Sequence, residues 1–209
     1  MSILKTENLT YHYSKDYPIL KGMSVSFERG KTYAILGASG SGKTTLLSLL
    51  GGLDTPVEGK IYFDGNDICK IGYEAYRRNC VAFIFQNYNL IDYMTPAENV
   101  RLTFKGDPLP FLAQVGISAE EARRSVLKLS GGQQQRVAIA RALAADAPVI
   151  LADEPTGNID DTTARNIFSL LIENAREYNK CVIIVTHSQE FAKYADVTFI
   201  LKDGALIRQ

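Results

Sequence analysis

The chain contains the stretch Gly37-Ala38-Ser39-Gly40-Ser41-Gly42-Lys43-Thr44, which follows an apolar run at 33–36 and precedes a second one at 45–50. This order predicts a strand, a glycine-rich loop and a helix, and it fits the phosphate-loop pattern. Glycines let several backbone N–H groups face one anion, and the start of the helix adds a positive dipole end. Lys43 supplies a charge for the outer phosphates, and the Thr44 hydroxyl is a ligand for Mg²⁺. We therefore predict that residues 37–44, with Thr45 beside them, bind phosphates.

Size and composition describe an ordinary globular chain. Its 209 residues, of which 46% are hydrophobic and 22% charged, suffice for one sizeable domain or two small ones. Lys and Arg number 23, as do Asp and Glu, so the basic excess of a nucleic-acid-binding protein is missing. The sequence shows neither an apolar run of about twenty residues nor a signal-peptide core, and its three cysteines lack CxxC spacing. We therefore expect a cytoplasmic protein with reduced thiols and no nucleic-acid partner.

Short apolar runs alternate with helical patterns along the chain. This alternation predicts an α/β fold whose mainly parallel sheet is covered on both faces, preceded by an antiparallel β-subdomain. Residues 3–9 are predicted to form an edge strand, residues 11–17 a loop, and residues 197–207 a closing hairpin. The other predicted strands are at 23–27, 33–36, 60–63, 81–85, 149–153 and 181–185.

Residues 87–136 are predicted to form a helical subdomain inserted between strands of the sheet. Thr95 and Ser118 each precede a Glu by three residues, the capping-box spacing that marks the start of a helix. Because sheet strands lie on both sides of this segment, we treat residues 1–209 as a single domain. A further helix is predicted from Gln134 to Ala145, and another from Thr162 to Tyr178.

Polar side chains follow three of the predicted buried strands. Asp153 and Glu154 end one strand, Gln86 follows a second, and His187 follows a third. Ligands bind at this carboxyl edge in open α/β sheets. Asp153 can hold Mg²⁺, Glu154 can activate an attacking water as a general base, and the Gln86 amide can ligate the metal or position water. The His187 imidazole can bond a γ-phosphate, although a lone histidine is often structural.

A second candidate anion site lies far along the chain. Leu129-Ser130-Gly131-Gly132-Gln133 precedes a predicted helix, which Ser130 can cap while the glycines let a phosphate approach its N-terminus. One chain rarely needs two such sites for one phosphate tail. The simplest explanation is that two chains each cover the nucleotide held by the other.

Taken together, these motifs resemble the ATP-binding subunits of ABC transporters over essentially the whole chain. Residues 37–44 match the Walker A motif, and Gln86 falls at the Q-loop. Residues 129–133 match the signature motif without deviation. Residues 149–153 with Glu154 resemble Walker B and its catalytic glutamate. Gly157-Asn158-Ile159-Asp160 resembles the D-loop, and His187 resembles the switch histidine.

The resemblance implies a P-loop NTPase core of the ABC type that hydrolyses ATP with Mg²⁺. It implies that a second ATPase chain, most simply a second copy, adds Ser130, Gly131, Gly132 and Gln133 to the nucleotide, with Asp160 nearby. Tyr13 lies where the family's adenine-stacking aromatic is expected, with Tyr11 as the alternative. A membrane permease would dock near Gln86 and the helical subdomain, which would place the chain on the inner face of the cell membrane.

The string Asp153-Glu154-Pro155-Thr156-Gly157-Asn158-Ile159-Asp160 is similar to that of lipoprotein-releasing, macrolide-exporting and bacitracin-resistance transporters. This subgroup implies an exporter of peptide, lipoprotein or antibiotic type, although the helical insert is shorter than the subgroup usually carries. The alternative is a soluble ABC-type switch ATPase without a permease, for example in Fe–S assembly.

Overall fold

The structure is a computed structural model that describes residues 2–14, 17–157 and 159–209. Within these ranges the strands are β1 Ser2–His12, β2 Pro18–Glu28, β3 Thr32–Leu36, β4 Glu58–Phe63, β5 Asn66–Asp67, β6 Val81–Ile84, β7 Val149–Asp153, β8 Cys181–Thr186, β9 Val197–Lys202 and β10 Ala205–Arg208. The α-helices are α1 Lys43–Leu50, α2 Ile68–Ile71, α3 Tyr73–Cys80, α4 Pro96–Arg101, α5 Leu109–Gln114, α6 Gly131–Ala144, α7 Asp161–Glu177 and α8 Gln189–Ala192.

The larger sheet has six strands in the order β10-β9-β3-β8-β7-β6. All neighbours in it are parallel except β10, which closes an antiparallel hairpin with β9. The mainly parallel α/β core and the closing hairpin were both predicted, and both are confirmed. Because β3, β8, β7 and β6 run in the same direction, the loops that follow them meet at one edge of the sheet.

Both faces of this sheet are buried. Along β7, Ile150 and Ala152 pack into one hydrophobic cluster with α6 and α7, while Val149 and Leu151 pack into another with α1 and the N-terminal strands. Successive side chains of a strand point to opposite faces, so a strand covered on both sides must be apolar throughout. This is why β3, β7 and β8 read as continuous apolar runs.

The smaller sheet has the order β2-β1-β4-β5, and its pairs are antiparallel. The prediction that residues 3–9 form an edge strand is wrong, because β1 pairs with β2 on one side and with β4 on the other. The predicted loop at 11–17 is also partly wrong. Tyr11 and His12 continue β1, since the Tyr11 ring is buried and its hydroxyl bonds the Asp54 carboxylate, while residues 15 and 16 of the predicted loop lie outside the described residues.

Short helices fill the segment between β6 and β7. The Thr95 capping box is present, with Thr95 and Glu98 bonding each other's backbone N–H groups at the start of α4. Ser118 and Glu121 make the same reciprocal bonds. However, only a 3-10 turn, Glu121–Arg123, follows them, so the second predicted α-helix start is wrong. The helix predicted from Gln134 starts earlier, at Gly131, because Ser130 caps it.

Helices α2 and α3 were not predicted. The backbone N–H of Cys69 donates to the Asp67 carboxylate, which caps α2, and Tyr76 of α3 is buried with its hydroxyl on the Leu50 carbonyl. Across the described ranges, no helix is long and apolar enough to cross a membrane.

Candidate active site

A cavity of about 500 Å³ lies at the carboxyl edge of the parallel strands. The loops after β3, β6, β7 and β8 all contribute to it, as predicted from the order of apolar runs and polar residues. Its lining consists of Tyr13, Ser39, Gly40, Gly42, Lys43, Thr44, Thr45, Gln86, Asp153, Glu154, Gly157 and His187.

The phosphate loop between β3 and α1 depends on glycine at two positions. Gly42, which precedes the first residue of α1, has φ of 99°, in the left-handed region that side chains disfavour. A Cβ at Gly42 would also lie 2.5 Å from the Ile19 side chain, and one at Gly37 would lie 2.5 Å from the Ser41 hydroxyl. The loop therefore folds this tightly only with glycine at 37 and 42.

The Lys43 ammonium lies over this loop. It donates hydrogen bonds of 2.8 Å to the Gly37 carbonyl and 3.1 Å to the Ala38 carbonyl. Two neutral carbonyls do not neutralise the lysine charge, so an anion in the loop would be a stronger partner.

Asp153 ends β7 inside the cavity with 9% of its surface exposed. Burial raises the pKa of the Asp153 carboxyl, and a hydrogen bond with the Thr44 side chain opposes that rise in part. A buried carboxylate short of compensating charge favours a cation. The carboxylate and the adjacent hydroxyl are hard oxygen donors, so the pair fits the ligand preference of Mg²⁺.

Glu154 and His187 lie together on two neighbouring strand ends. The Glu154 carboxylate is 3.0 Å from Nδ1 of His187, and the glutamate side chain is 14% exposed against 75% for the histidine. Glu154 has a left-handed φ of 45°, held by a hydrogen bond from its N–H to the Val185 carbonyl. Backbone strain at a non-glycine residue costs about 1–3 kcal/mol and often marks a functional site. Here it accompanies a carboxylate that lines the cavity.

The structure separates the two candidate stacking aromatics. Tyr13 is 73% exposed and lines the cavity, with its hydroxyl 3.2 Å from that of Thr45. The rings of Tyr11 and Tyr13 are perpendicular with their centroids 5.2 Å apart, and the bond to Asp54 raises the pKa of Tyr11 to about 12. Of the two, Tyr11 is buried and Tyr13 exposes its ring.

The signature residues Ser130, Gly131, Gly132 and Gln133 do not line this cavity. Ser130 is exposed at the start of α6, where its hydroxyl accepts from the Gln133 N–H and its own N–H donates to the Gln133 side chain. The structure therefore places the two predicted anion sites apart within one chain, as expected if a second chain supplies one of them.

Asp160 is exposed and caps α7 by accepting a 3.0 Å bond from the Thr163 N–H. Hydrogen bonds from Thr163 lower the pKa of its carboxyl. Asp160 does not line the cavity either, and its D-loop neighbour Asn158 lies outside the described residues.

Two contacts near the site were not predicted. Gln135 is buried, and its side-chain amide donates to the carbonyl of Pro155, directly after Glu154. Arg141 donates 2.7 and 3.0 Å bonds to the carbonyls of Asn89 and Tyr88, in the loop after Gln86. Neither residue belongs to a motif used in the prediction. The only local signal was their place on the helix that follows Ser130.

Residues 20–157 match the sequence family described as ABC transporter. The chain belongs to the ABC transporter family. It is 44% identical over 216 residues to an uncharacterized ABC transporter ATP-binding protein, YclH, of Bacillus subtilis, covering 98% of this chain and 96% of that one. It is 39% identical over 215 residues to the lipoprotein-releasing system ATP-binding protein LolD 1 of Rhodopirellula baltica, covering 94% of each.

Among solved structures, the chain resembles the ATP-binding cassette MJ0796 in a dimeric, post-hydrolysis state bound to ADP and Pi. The TM-score is 0.89 at 34% identity, over 99% of this chain and 97% of that one. These findings confirm the predicted ABC ATPase fold, the resemblance to the lipoprotein-releasing subgroup and the assignment to ATP-binding, ATP-hydrolysing chains of ABC transporters.

Proposed function

We propose that two copies of this chain form a head-to-tail sandwich in which each hydrolyses Mg²⁺-ATP and together drive a separate membrane permease. The observation that carries the proposal is the separation of the cavity that contains Lys43, Asp153 and Glu154 from the exposed Ser130 and Gly131 of the signature motif. MJ0796, which the chain resembles along its whole length, is dimeric with ADP and Pi bound. The partner's Ser130, Gly131, Gly132 and Gln133 would thus close the cavity that holds Lys43.

Seven of the cavity residues then have a task. Lys43 leaves the Gly37 and Ala38 carbonyls for the γ-phosphate, and Tyr13 stacks on the adenine. Thr44 and Asp153, with Gln86 within the same cavity, would hold Mg²⁺. When bound, the ion offsets the charge of the phosphate oxygens.

Glu154 takes a proton from the attacking water. The oxygen of that water bonds the γ-phosphorus as the bond to the bridging oxygen breaks, giving ADP and phosphate. When both of its ring nitrogens carry protons, His187 donates from Nδ1 to the Glu154 carboxylate, 3.0 Å away, and from Nε2 toward the γ-phosphate. Asp160, exposed at the start of α7, faces the second copy near its nucleotide.

Glu154→Gln tests the chemistry. The amide keeps the shape of the side chain but cannot accept the proton, so ATP binding should persist while turnover falls at least about 100-fold. Steady-state turnover and ATP-dependent dimerisation by size exclusion measure the two effects. Turnover at the wild-type rate would show that Glu154 is not the base.

For the permease, a groove of about 740 Å³ beside the Gln86 loop offers a contact surface. Phe83 and Phe85 stack at 5.0 Å between ring centroids along it, and Leu102, 52% exposed, forms part of its apolar lining. The groove is lined by three arginines, Arg77, Arg78 and Arg141, and by one acid, Asp146, so its lining has a positive excess. A short permease helix with apolar and acidic side chains matches this surface. It would hold the ATPase at the inner face of the membrane, in an exporter of lipoprotein, peptide or antibiotic type.

Leu102→Asp tests that docking. It places a charge in the groove and should lower recovery of a polytopic membrane protein with the tagged chain at least about tenfold, with unchanged turnover of the isolated chain. Leu127→Asp is the matched control, since Leu127 is 66% exposed and does not line the groove. Equal recovery with both variants would contradict docking in the groove.

A further inference from the structure

The loop that follows β6, residues 86–89, lies against α6 and is hydrogen-bonded to it. Gln86 lines the nucleotide cavity, and the backbone then turns through two left-handed residues, Tyr88 with φ of 60° and Asn89 with φ of 48°. Two consecutive non-glycine residues rarely adopt this conformation unless other contacts hold them.

Arg141 supplies one of those contacts from the last turn of α6. One guanidinium nitrogen donates 2.7 Å to the Asn89 carbonyl and the other donates 3.0 Å to the Tyr88 carbonyl. Among the described residues, none of the ion pairs includes Arg141. The planar fork of arginine therefore serves to fix the backbone of this loop, a task that a lysine ammonium performs less well.

The Tyr88 side chain lies close to the opposite end of the helix. A Cβ at Gly131, the first residue of α6, would lie 3.0 Å from the Tyr88 hydroxyl. The tyrosine therefore extends from Arg141 near the end of α6 to Gly131 at its start. Gly131 is the neighbour of Ser130, so the side chain of Tyr88 reaches the signature motif, residues 129–133.

We propose that Arg141 is a positioning residue that fastens the Gln86 loop to α6, so that Gln86 in its own cavity and Ser130 at the partner's cavity move as one unit. When bound ATP draws Gln86 into the cavity, α6 moves with the loop, and this movement orients Ser130 toward the nucleotide of the second copy. Arg141 also lines the groove assigned above to the permease, so an occupant of that groove contacts the same unit. The inference rests on the sandwich dimer proposed above.

The chain contains a matched control on the same helix. Arg136 also donates from its guanidinium to two backbone carbonyls, those of Val115 at 3.0 Å and Gly116 at 2.8 Å. Its target is the segment after α5 rather than the Gln86 loop. Arg136→Ala therefore removes an equivalent anchor of α6 without releasing Gln86.

The experiment compares Arg141→Ala with Arg136→Ala in the Glu154→Gln background, without a permease. Nucleotide binding to the dilute monomer is measured with a fluorescent ATP analogue, and ATP-driven dimerisation by light scattering over a range of protein concentrations. We expect Arg141→Ala to raise the dimer dissociation constant about tenfold and Arg136→Ala to change it less than about twofold. Monomer affinity for the nucleotide should be unchanged in both.

Equal effects of the two variants on dimerisation, or a loss of monomer nucleotide affinity as large as the loss of dimerisation, would overturn the positioning role. If Arg141→Ala does not fold, Arg141→Lys and Arg136→Lys replace the pair. Lysine keeps the charge without the fork, and weaker dimerisation is again expected for position 141 alone. Failure of the Glu154→Gln parent to dimerise with ATP would instead contradict the proposed function, so the two failures are distinguishable.

Discussion

The N-termini of α1 and α6 are both candidate anion sites, yet they are built in opposite ways. Helix α1 follows Gly42, which is in a left-handed conformation and provides no side-chain cap. Helix α6 follows Ser130, which forms a complete capping box with Gln133. The first N–H groups of any helix need partners, and a capping box supplies two of the missing bonds. The first N–H groups of α1 thus have no side-chain cap, and phosphate oxygens can take that place. The start of α6 is already stabilised by its own capping box.

The difference between the two helix starts indicates which step comes first, nucleotide binding or the pairing of two chains. The α1 site collects Lys43, Thr44, Asp153 and Glu154 in one cavity and can bind a nucleotide within a single chain. The α6 site offers an exposed hydroxyl and two glycines with no charged side chain of its own in the motif. It can add contacts to an anion that another chain already holds. The proposed function therefore implies that ATP binds at α1 before two chains pair through α6.

Among substitutions at the two helix starts, Lys43→Ala should have the largest effect, because it removes the one charge that the phosphate loop itself contributes. ATP affinity of the monomer should fall about 10- to 100-fold, the value of one or two charge-assisted hydrogen bonds. Isothermal titration of the monomer measures it. Lys70→Ala is the charge-matched control, because Lys70 is exposed and lines neither the cavity nor the adjoining pocket beside the phosphate loop. Equal affinities of the two variants for ATP would show that Lys43 does not contact the nucleotide.

Ser130→Ala should have a smaller effect and of a different kind. Monomer affinity for ATP should be unchanged, while turnover of the dimer should fall about tenfold through one lost hydrogen bond. Thermal unfolding should show the loss of the cap, about 1 kcal/mol.

Ser130→Asp separates the two roles of Ser130. Aspartate caps a helix as well as serine, so the stability of α6 should be retained. Its charge would face the partner's phosphates, and dimerisation with ATP should be weaker than in Ser130→Ala. A Ser130→Asp chain that dimerises like the wild type would show that position 130 acts only as a cap.

The sequence predicted those parts of the molecule whose signal is local. Continuous apolar runs located β3, β7 and β8, and the residues directly after them located the cavity. What it did not predict depends on contacts between distant segments. Residues 3–9 looked like an edge strand because the pairing of β1 with β4 joins segments about fifty residues apart. Ser118 has the spacing of a helix cap, but only a 3-10 turn follows. Arg141 and Gln135 looked like ordinary residues of a helix until the structure showed which carbonyls they bond.

The central claim is that one ATP site combines Lys43 of one copy with Ser130 of the other, and mixed dimers test it most directly. Lys43→Ala and Ser130→Ala chains, both carrying Glu154→Gln, are labelled with different fluorophores and mixed with ATP. If the site is shared, each mixed dimer has one intact site, made of Lys43 from the Ser130→Ala chain and Ser130 from the Lys43→Ala chain. Energy transfer in the mixture should then exceed the energy transfer of either variant that carries both labels and is tested alone. If each site lay within one chain, neither variant would contain an intact site. Mixing would then give no more pairing than each variant shows alone, which would contradict the sandwich.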